Sequence, residues 1–404
     1  MTGTPSPTPH LMPLYARAPL SVERGQGVWL EATDGTRYLE CVAGIATCAL
    51  GHAHPALVAA LAEQAGKLWH VSNIFRIPGQ EALADKLAAA TFADSVFFCN
   101  SGTEAVEAAL KTARAYHAAR GDSQRIDIIG FTGSFHGRTY GAINASGNPA
   151  YLEGFGPRLP GYVQVGIDDA AALAEAIARP TAAAVIVEPV QGEGGARALS
   201  GEFLTGLRRA CDAAGILLIY DEVQSGMGRT GRLFAHQWFE GAEPDIMTTA
   251  KALGGGFPVG AVLASAKGAS GMKVGVHGTT FGGNPLAMAV ANAAFDILSQ
   301  PATLAHVEEV AAQLHAGLAD LVARFPEVAS EVRGKGLLAG LKLVPNNREM
   351  MALARDHGLL VAGGGENCIR LLPSLLITAE EVREALARLE ATFVAARAKY
   401  AVPA

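Results

Sequence analysis

The sequence predicts an α/β fold: a large domain on a mostly parallel, doubly wound sheet, followed by a smaller α+β domain. Three observations predict it. Apolar runs without polar alternation, such as IDIIGF and ILLIYD, read as strands covered on both faces. Segments with apolar residues at helical spacing lie between them, and alternating strands and helices build a parallel sheet. After about Pro301 the pattern changes to long helices with short strands, and 404 residues exceed what one small core holds.

In chain order, GVWLEATDGTRYLECV reads as a hairpin turning at Asp34-Gly35. DSVFFCNSG is a short apolar strand ending in a turn, and TEAVEAALKTARAYHAA repeats apolar residues at helical spacing. IDIIGFTG, AAAVIVEP and GILLIYDE are the next strands, with the helix GEFLTGLRRACDAAG before the last of them. PDIMTTA reads as a strand end and FPVGAVLAS as a fifth strand. A helix from roughly Leu304 to Phe325 leads into EVRGKGLLAGLKLV, a helix near REMMALARDHG, the strand NCIRLLPSL and a final helix from about Ala379 to Lys399. The expected division is an N-terminal segment, 1–50, packing with the small domain; a large domain, 51–300; and a small C-terminal domain, 301–404.

Composition excludes several classes of function. The net charge is −6 and no basic stripe is visible, so binding to a nucleic-acid backbone has no electrostatic support. The five cysteines form no CxxC, which fits buried thiols in a reducing cytoplasm and neither a disulfide scaffold nor a metal site. The N-terminal MTGTPSPTPHLMPLY lacks the basic and apolar regions of a signal peptide. Two charge-free stretches, Cys41 to Ala62 and Val274 to Phe295, approach membrane length, but Gly, Pro, His and Asn interrupt both. No membrane association is expected.

Four motifs carry chemistry. In CNSGTEAVEAAL, Ser101-Gly102-Thr103 opens a helix whose free N–H groups and positive dipole end suit an anion; an ordinary capped helix fits the same residues. FTGSFHGRTYGA places Phe135, His136 and Arg138 in a loop after a strand, where an aromatic face and a guanidinium can hold a flat ring and an anion. Asp221 and Glu222 end a buried strand, where ligands sit in open α/β sheets. One of the two could equally cap the next turn. Lys251 stands ahead of three glycines, and no lysine lies between it and Lys111. Desolvation would free its amine to attack a carbonyl. Taken alone it also fits a surface turn. Together the four match the needs of pyridoxal 5'-phosphate: a helix N-terminus for the phosphate, an aromatic face, a carboxylate at the pyridine nitrogen and a lysine for the aldehyde.

Over about Pro13 to the C-terminal helix the chain resembles the fold-type I, class III pyridoxal-phosphate aminotransferases, and most closely their acetylornithine branch. The resemblance rests on GIATCALGHAHP, HVSNIF, NSGTEA, FHGRT, VEPVQGEGG, DEVQSGMGRTG, TTAKALGGGFP, HGTTFGGNPLA and IRLLPSL. One departure is Val106, where the family often has Asn. The resemblance implies that Lys251 is the Schiff-base and proton-transfer lysine, that Asp221 pairs with the pyridine nitrogen, and that Gln224 bonds the ring hydroxyl. It implies that Phe135 stacks on the ring, that Val223 also contacts the cofactor, and that Ser101, Gly102 and Thr103 form the phosphate cup. Thr280 would reach the phosphate of a partner subunit in a homodimer with composite sites. Arg138 and Thr279 would hold the donor, with Arg138 on its α-carboxylate. Arg370 would take the α-carboxylate of glutamate, with Glu193 beside it and neutralising it until glutamate or 2-oxoglutarate arrives.

The activity implied is transfer of the ω-amino group of N2-acetylornithine to 2-oxoglutarate, as in arginine biosynthesis. Ornithine, succinylornithine, 4-aminobutyrate and aminoadipate-semialdehyde derivatives are alternative donors. A non-catalytic binding protein on the same fold conflicts with retention of the whole cofactor set. A nucleotide-binding oxidoreductase lacks its GxGxxG after a first strand.

Overall fold

The computed structural model describes residues 10–400; most of the N-terminal stretch read for a signal peptide, residues 1–9, lies outside them. Strands β1 (Val22–Gln26), β2 (Trp29–Ala32) and β3 (Arg37–Glu40) form an N-terminal meander. Asp34 accepts the Thr36 N–H at the tip, which fixes the β2–β3 turn. The large sheet follows from β4 (Ser95–Cys99), β5 (Asp127–Phe131), β6 (Tyr162–Val165) and β7 (Ala182–Val187). A small hairpin of β8 (Val190–Gln191) and β9 (Arg197–Ala198) interrupts them before β10 (Leu217–Asp221), β11 (Ile246–Thr249) and β12 (Gly260–Ala264).

The seven strands order as β4-β12-β11-β10-β7-β5-β6. All run parallel except β12, which opposes both its neighbours. Residues of β5, β7, β10 and β11 are buried throughout, as continuous apolar strands between two helical layers must be. The helix Gly102–Ala118 packs on β11 and β12. β6 escapes the apolar-run criterion because its residues are mostly half-buried at the sheet edge.

Beyond the helix Pro301–Arg324, the strands β13 (Ala329–Lys335), β14 (Leu338–Leu343), β15 (Leu359–Leu360), β16 (Ala362–Gly364) and β17 (Cys368–Leu371) complete the chain with the helices Asn347–Asp356 and Ala379–Tyr400. Four of them form an antiparallel sheet, β13-β14-β17-β16. β15 instead joins the N-terminal meander, parallel to β3, through Leu39 N to Gly358 O (3.0 Å) and Cys41 N to Leu360 O (2.8 Å). The charge-free stretches hold the helices Pro55–Ala65 and Pro285–Leu298, each opened by proline and too short to cross a bilayer. Among the described residues no helix is long and apolar enough to span a membrane.

Candidate active site

The carboxyl ends of β4, β5, β7, β10 and β11 converge on one cavity of about 400 Å³. Ser101 caps the helix Gly102–Ala118, its hydroxyl accepting the Glu104 N–H. Gly102 and Thr103 then present first-turn N–H groups that have no carbonyl within the helix to reach, and both line the cavity. A Cβ on Gly102 would fall 2.7 Å from a Val223 methyl, so only glycine lets this turn lie against the next wall. Gly137, at φ 123°, brings the Phe135–Arg138 loop onto the same turn; a Cβ there would meet the Thr103 hydroxyl at 2.2 Å. That hydroxyl already accepts the N–H groups of Arg138 (3.2 Å) and Thr139 (3.3 Å). It therefore joins the loop to the helix as well as facing the cavity.

Asp221 ends β10 with its side chain into the cavity. Oδ1 accepts Thr248 Oγ1 and Val223 N, both at 3.0 Å. Oδ2 lies 2.7 Å from His136 Nδ1. Burial alone would lower the imidazole's pKa, but the Asp221 hydrogen bond and charge, with Glu188, raise it above its ordinary value. Glu222, next in the chain, turns the other way. Its carboxylate takes the N–H groups of Ala235 and His236, the His236 ring and Ser225 Oγ, all buried. Side chains alternate across a strand, so the acid pair splits into one cavity residue and one residue that ties down a loop.

Lys251 leaves β11 with φ 43°, a left-handed conformation that costs about 1–2 kcal/mol for a residue with a side chain. The residue is half-buried and lines the cavity. Desolvation lowers its pKa to about 8; Arg370 adds to this, while Glu193, Glu188 and Asp221 oppose it. Near neutrality a usable fraction is the free amine. Glu188, at the end of β7, accepts Phe135 N (2.8 Å) and Gly192 N (3.0 Å), and burial pushes its carboxyl up to about 7.

Arg370, on β17 of the small sheet, is 1% exposed. It reaches across to Glu193 Oε1 (2.7 Å) and Gln224 Oε1 (3.0 Å), and donates to Gly363 O. Arg138 carries no acid partner among the described residues; its guanidinium lies 3.8 Å over the Tyr151 ring and 5.3 Å from Phe135. Ser101, Gly102, Thr103, Phe135, Arg138, Asp221, Val223, Gln224 and Lys251 thus share one cavity, and Glu193 and Arg370 adjoin its wall.

Thr279 and Thr280 are not brought into it. Thr279 lies behind Asn100, bonding its side chain at 3.3 Å, and lines a separate depression with Asn73 and Gln80. Thr280 is exposed. His136, Glu188 and Thr248 were not given roles from sequence, although each belongs to the site's inner ring of bonds. An acid at the end of β7 obeys the same strand-end rule as Asp221 and was the available signal for Glu188.

The cavity fits pyridoxal phosphate on its own chemistry. It offers unpaired N–H groups at a helix start, a carboxylate braced by three donors, an aromatic face and a desolvated amine. Comparison with known proteins agrees. The class-III aminotransferase family model matches residues 13–393. The chain is 63% identical over 402 residues to acetylornithine aminotransferase 2 of Caulobacter vibrioides, covering 99% of each. It is 54% identical over 378 residues to acetylornithine aminotransferase of Mesorhizobium japonicum, covering 93% of this chain and 94% of that one. Among solved structures, N-acetylornithine aminotransferase from Stenotrophomonas maltophilia superposes with TM-score 0.84 at 41% identity, over 95% of this chain and 98% of that one. Ornithine aminotransferase from Toxoplasma gondii gives TM-score 0.91 at 32% identity, over 96% and 94%. The chain belongs to the class-III aminotransferases, enzymes that work with pyridoxal phosphate on the fold-type I architecture.

Proposed function

We propose that this chain is an acetylornithine aminotransferase. It would move the ω-amino group of N2-acetylornithine to 2-oxoglutarate, giving N-acetylglutamate 5-semialdehyde and glutamate, in the cytoplasmic synthesis of arginine. The observation that carries the reading is the pair of guanidiniums at the lysine cavity: Arg138, paired with no acid among the described residues, and Arg370, masked by Glu193. A donor that enters by its ω-amine keeps its α-carboxylate far from the lysine, where Arg138 suits it. Glutamate must present its α-amine, so its α-carboxylate comes close, where Arg370 suits it. Glu193 would cover Arg370 in the first half-reaction, when a bare buried guanidinium would be costly.

Pyridoxal phosphate, when bound, supplies an aldehyde that captures amines and a ring that accepts electrons. Asp221, held by His136, Thr248 and the Val223 N–H, would keep a proton on the ring nitrogen. The N–H groups of Gly102 and Thr103, capped by Ser101, would take the phosphate. Phe135 and Val223 would enclose the ring and Gln224 would meet its hydroxyl. Lys251, with its lowered pKa, would hold the cofactor and move the proton at Nζ.

Thr279 and Thr280 would serve a partner's site in a homodimer. Exposed apolar side chains on the neighbouring surface support this: Trp69 (65% exposed), Ile74 (82%) and Phe281 (59%) are surface that a partner subunit would cover. The β3–β15 pairing supports grouping residues 1–50 with the small unit, 301–404, apart from 51–300.

Single-turnover reactions of the holoenzyme with N2-acetylornithine, ornithine, succinylornithine and 4-aminobutyrate test the donor. N2-acetylornithine is expected to give the highest kcat/KM; a faster reaction with any other would replace it. Mixing Lys251→Ala with Thr280→Trp chains tests the shared site. Partial activity is expected to return in the mixed dimer, and no return despite subunit exchange would refute it.

A further inference from the structure

A second cavity, of about 810 Å³, lies outside the first. The two share a wall. Tyr151 lines the outer cavity and stacks on Arg138, which lines the inner one. Glu193 and Gly363 line the outer cavity and hold Arg370, which bonds Gln224 of the inner one. Both guanidiniums assigned to substrate carboxylates therefore stand in the partition.

Three further arginines line the outer cavity: Arg17 from the N-terminal segment, and Arg348 and Arg355 on the helix Asn347–Asp356. No acid pairs with any of them among the described residues. Glu193 is the acid in the lining, and it is engaged with Arg370. Of the neighbouring acids, Glu349 and Glu366 are tied elsewhere, to Lys399 and Arg333, and the exposed Asp356, beside Arg355, pairs with none of the three. This concentration of cations belongs to a chain whose net charge is −6. Away from such a focus, the protein would repel an anion.

We propose that Arg348 and Arg355, with Arg17, form an anion-collecting vestibule for the dicarboxylate acceptor. The inference rests on the substrates proposed above. 2-Oxoglutarate carries two negative charges, whereas N2-acetylornithine, with one carboxylate and one ammonium, carries none in sum. A concave cationic surface raises the local concentration of a dianion and leaves a neutral zwitterion almost unaffected. The vestibule would deliver the acceptor to the wall where its carboxylate displaces Glu193 from Arg370. It would thus favour the second half-reaction selectively, without touching the reacting atoms.

The test is an Arg348→Gln/Arg355→Gln double variant of the holoenzyme, with an Arg348→Lys/Arg355→Lys variant beside it. Single-turnover rates are measured for N2-acetylornithine with the resting enzyme and for 2-oxoglutarate with the aminated enzyme. At roughly 0.01 M ionic strength, where charges act over about 30 Å, the Gln variant is expected to lose about tenfold in kcat/KM for 2-oxoglutarate. Its maximal rate and its reaction with N2-acetylornithine should stay within about twofold, since no neutral ligand feels the field strongly. At about 1 M, where the range is about 3 Å, the loss should largely vanish. The Lys variant should retain the wild-type rate. An equal loss with both substrates, a loss insensitive to salt, or no loss at all would overturn the vestibule. A wild-type enzyme that fails to aminate 2-oxoglutarate would instead overturn the substrate assignment, and the vestibule with it.

Discussion

Arg370 and Arg229 are both buried, at 1% and 0% exposure, and both join the large and small parts of the chain, yet they are built in opposite ways. Besides the Gly363 carbonyl, Arg370 meets a half-buried carboxylate, Glu193, and a side-chain amide, Gln224, at the edge of a cavity. Arg229 meets backbone carbonyls, those of Leu337 and Pro373, and its Nε and Nη2 find no acceptor among the described residues. Burial lowers its pKa to about 9. Leu337 N returns a bond to Arg229 O, and Gly336 packs against Thr230 so closely that a Cβ would lie 2.5 Å from its Cα. An acid partner at a cavity edge is one that a substrate carboxylate could replace. A cation bonded to backbone carbonyls alone, with no acid to exchange, serves as a bolt.

The same substitution at each position sharpens the contrast. Arg370→Met should slow the 2-oxoglutarate half-reaction by roughly 10²–10³-fold, the loss of a charged two-point contact of about 3–4 kcal/mol. Its stability should change by less than about 1 kcal/mol, because water from the cavity can reach Glu193 and Gln224. Comparable slowing of both half-reactions would deny Arg370 a selective role.

Arg229→Met should do the reverse. Two buried carbonyls lose their donor, so the variant should be less stable by about 2 kcal/mol in denaturant unfolding, with kcat of the folded enzyme preserved. An unchanged or raised stability would mean that burying the cation costs as much as its bonds return.

Removing the acid partner of Arg370 should have a smaller and asymmetric effect. Glu193→Ala leaves Arg370 uncovered in the donor half-reaction. That half should slow by about 1–3 kcal/mol in barrier relative to the glutamate half, as measured by single-turnover spectra. Equal slowing would reduce Glu193 to a structural residue of its loop.

Lys251 is a third cation, half-buried at the site, and the mildest test concerns its proton. Its pKa in the folded chain is lowered, to about 8, so the reactive free amine grows as pH rises and saturates above that value. Capture of added pyridoxal phosphate by the apoprotein should therefore quicken by up to about tenfold per pH unit below 8 and level off above it. A plateau reached only near 10 would mean that desolvation does not govern this amine.

Much of this molecule is legible in its sequence, and the exceptions have local causes. The buried strands β5, β7 and β10 announce themselves because both faces are covered and every residue is apolar. β6 does not, because an edge strand needs no such run. β15 and β16 are too short to carry a period at all. The strand-end residues Asp221 and Lys251 and the cap Ser101 stand out because turns at the carboxyl edge of such a sheet repeat a known chemistry. His136 and Glu188 do not, because their importance lies in what they touch: Asp221 at 2.7 Å and Phe135 N at 2.8 Å, partners 85 and 53 residues away.

What the sequence determines by itself is therefore what depends on neighbours in the chain: period, caps, turns, and the family those motifs belong to. What only the tertiary structure decides is which of two adjacent acids faces the cavity and which arginine stands at its edge. Asp221 and Glu222 are equivalent as letters; the pleat sends one inward to His136 and the other to His236. Arg229 and Arg370 are equally buried; the kind of partner separates them, backbone carbonyls alone for one and an acid at a cavity edge for the other. The physical reason is common to both. A charge acquires its pKa, its cost and its use from the groups within a few ångström of it, and in a folded chain most of those groups are distant in sequence.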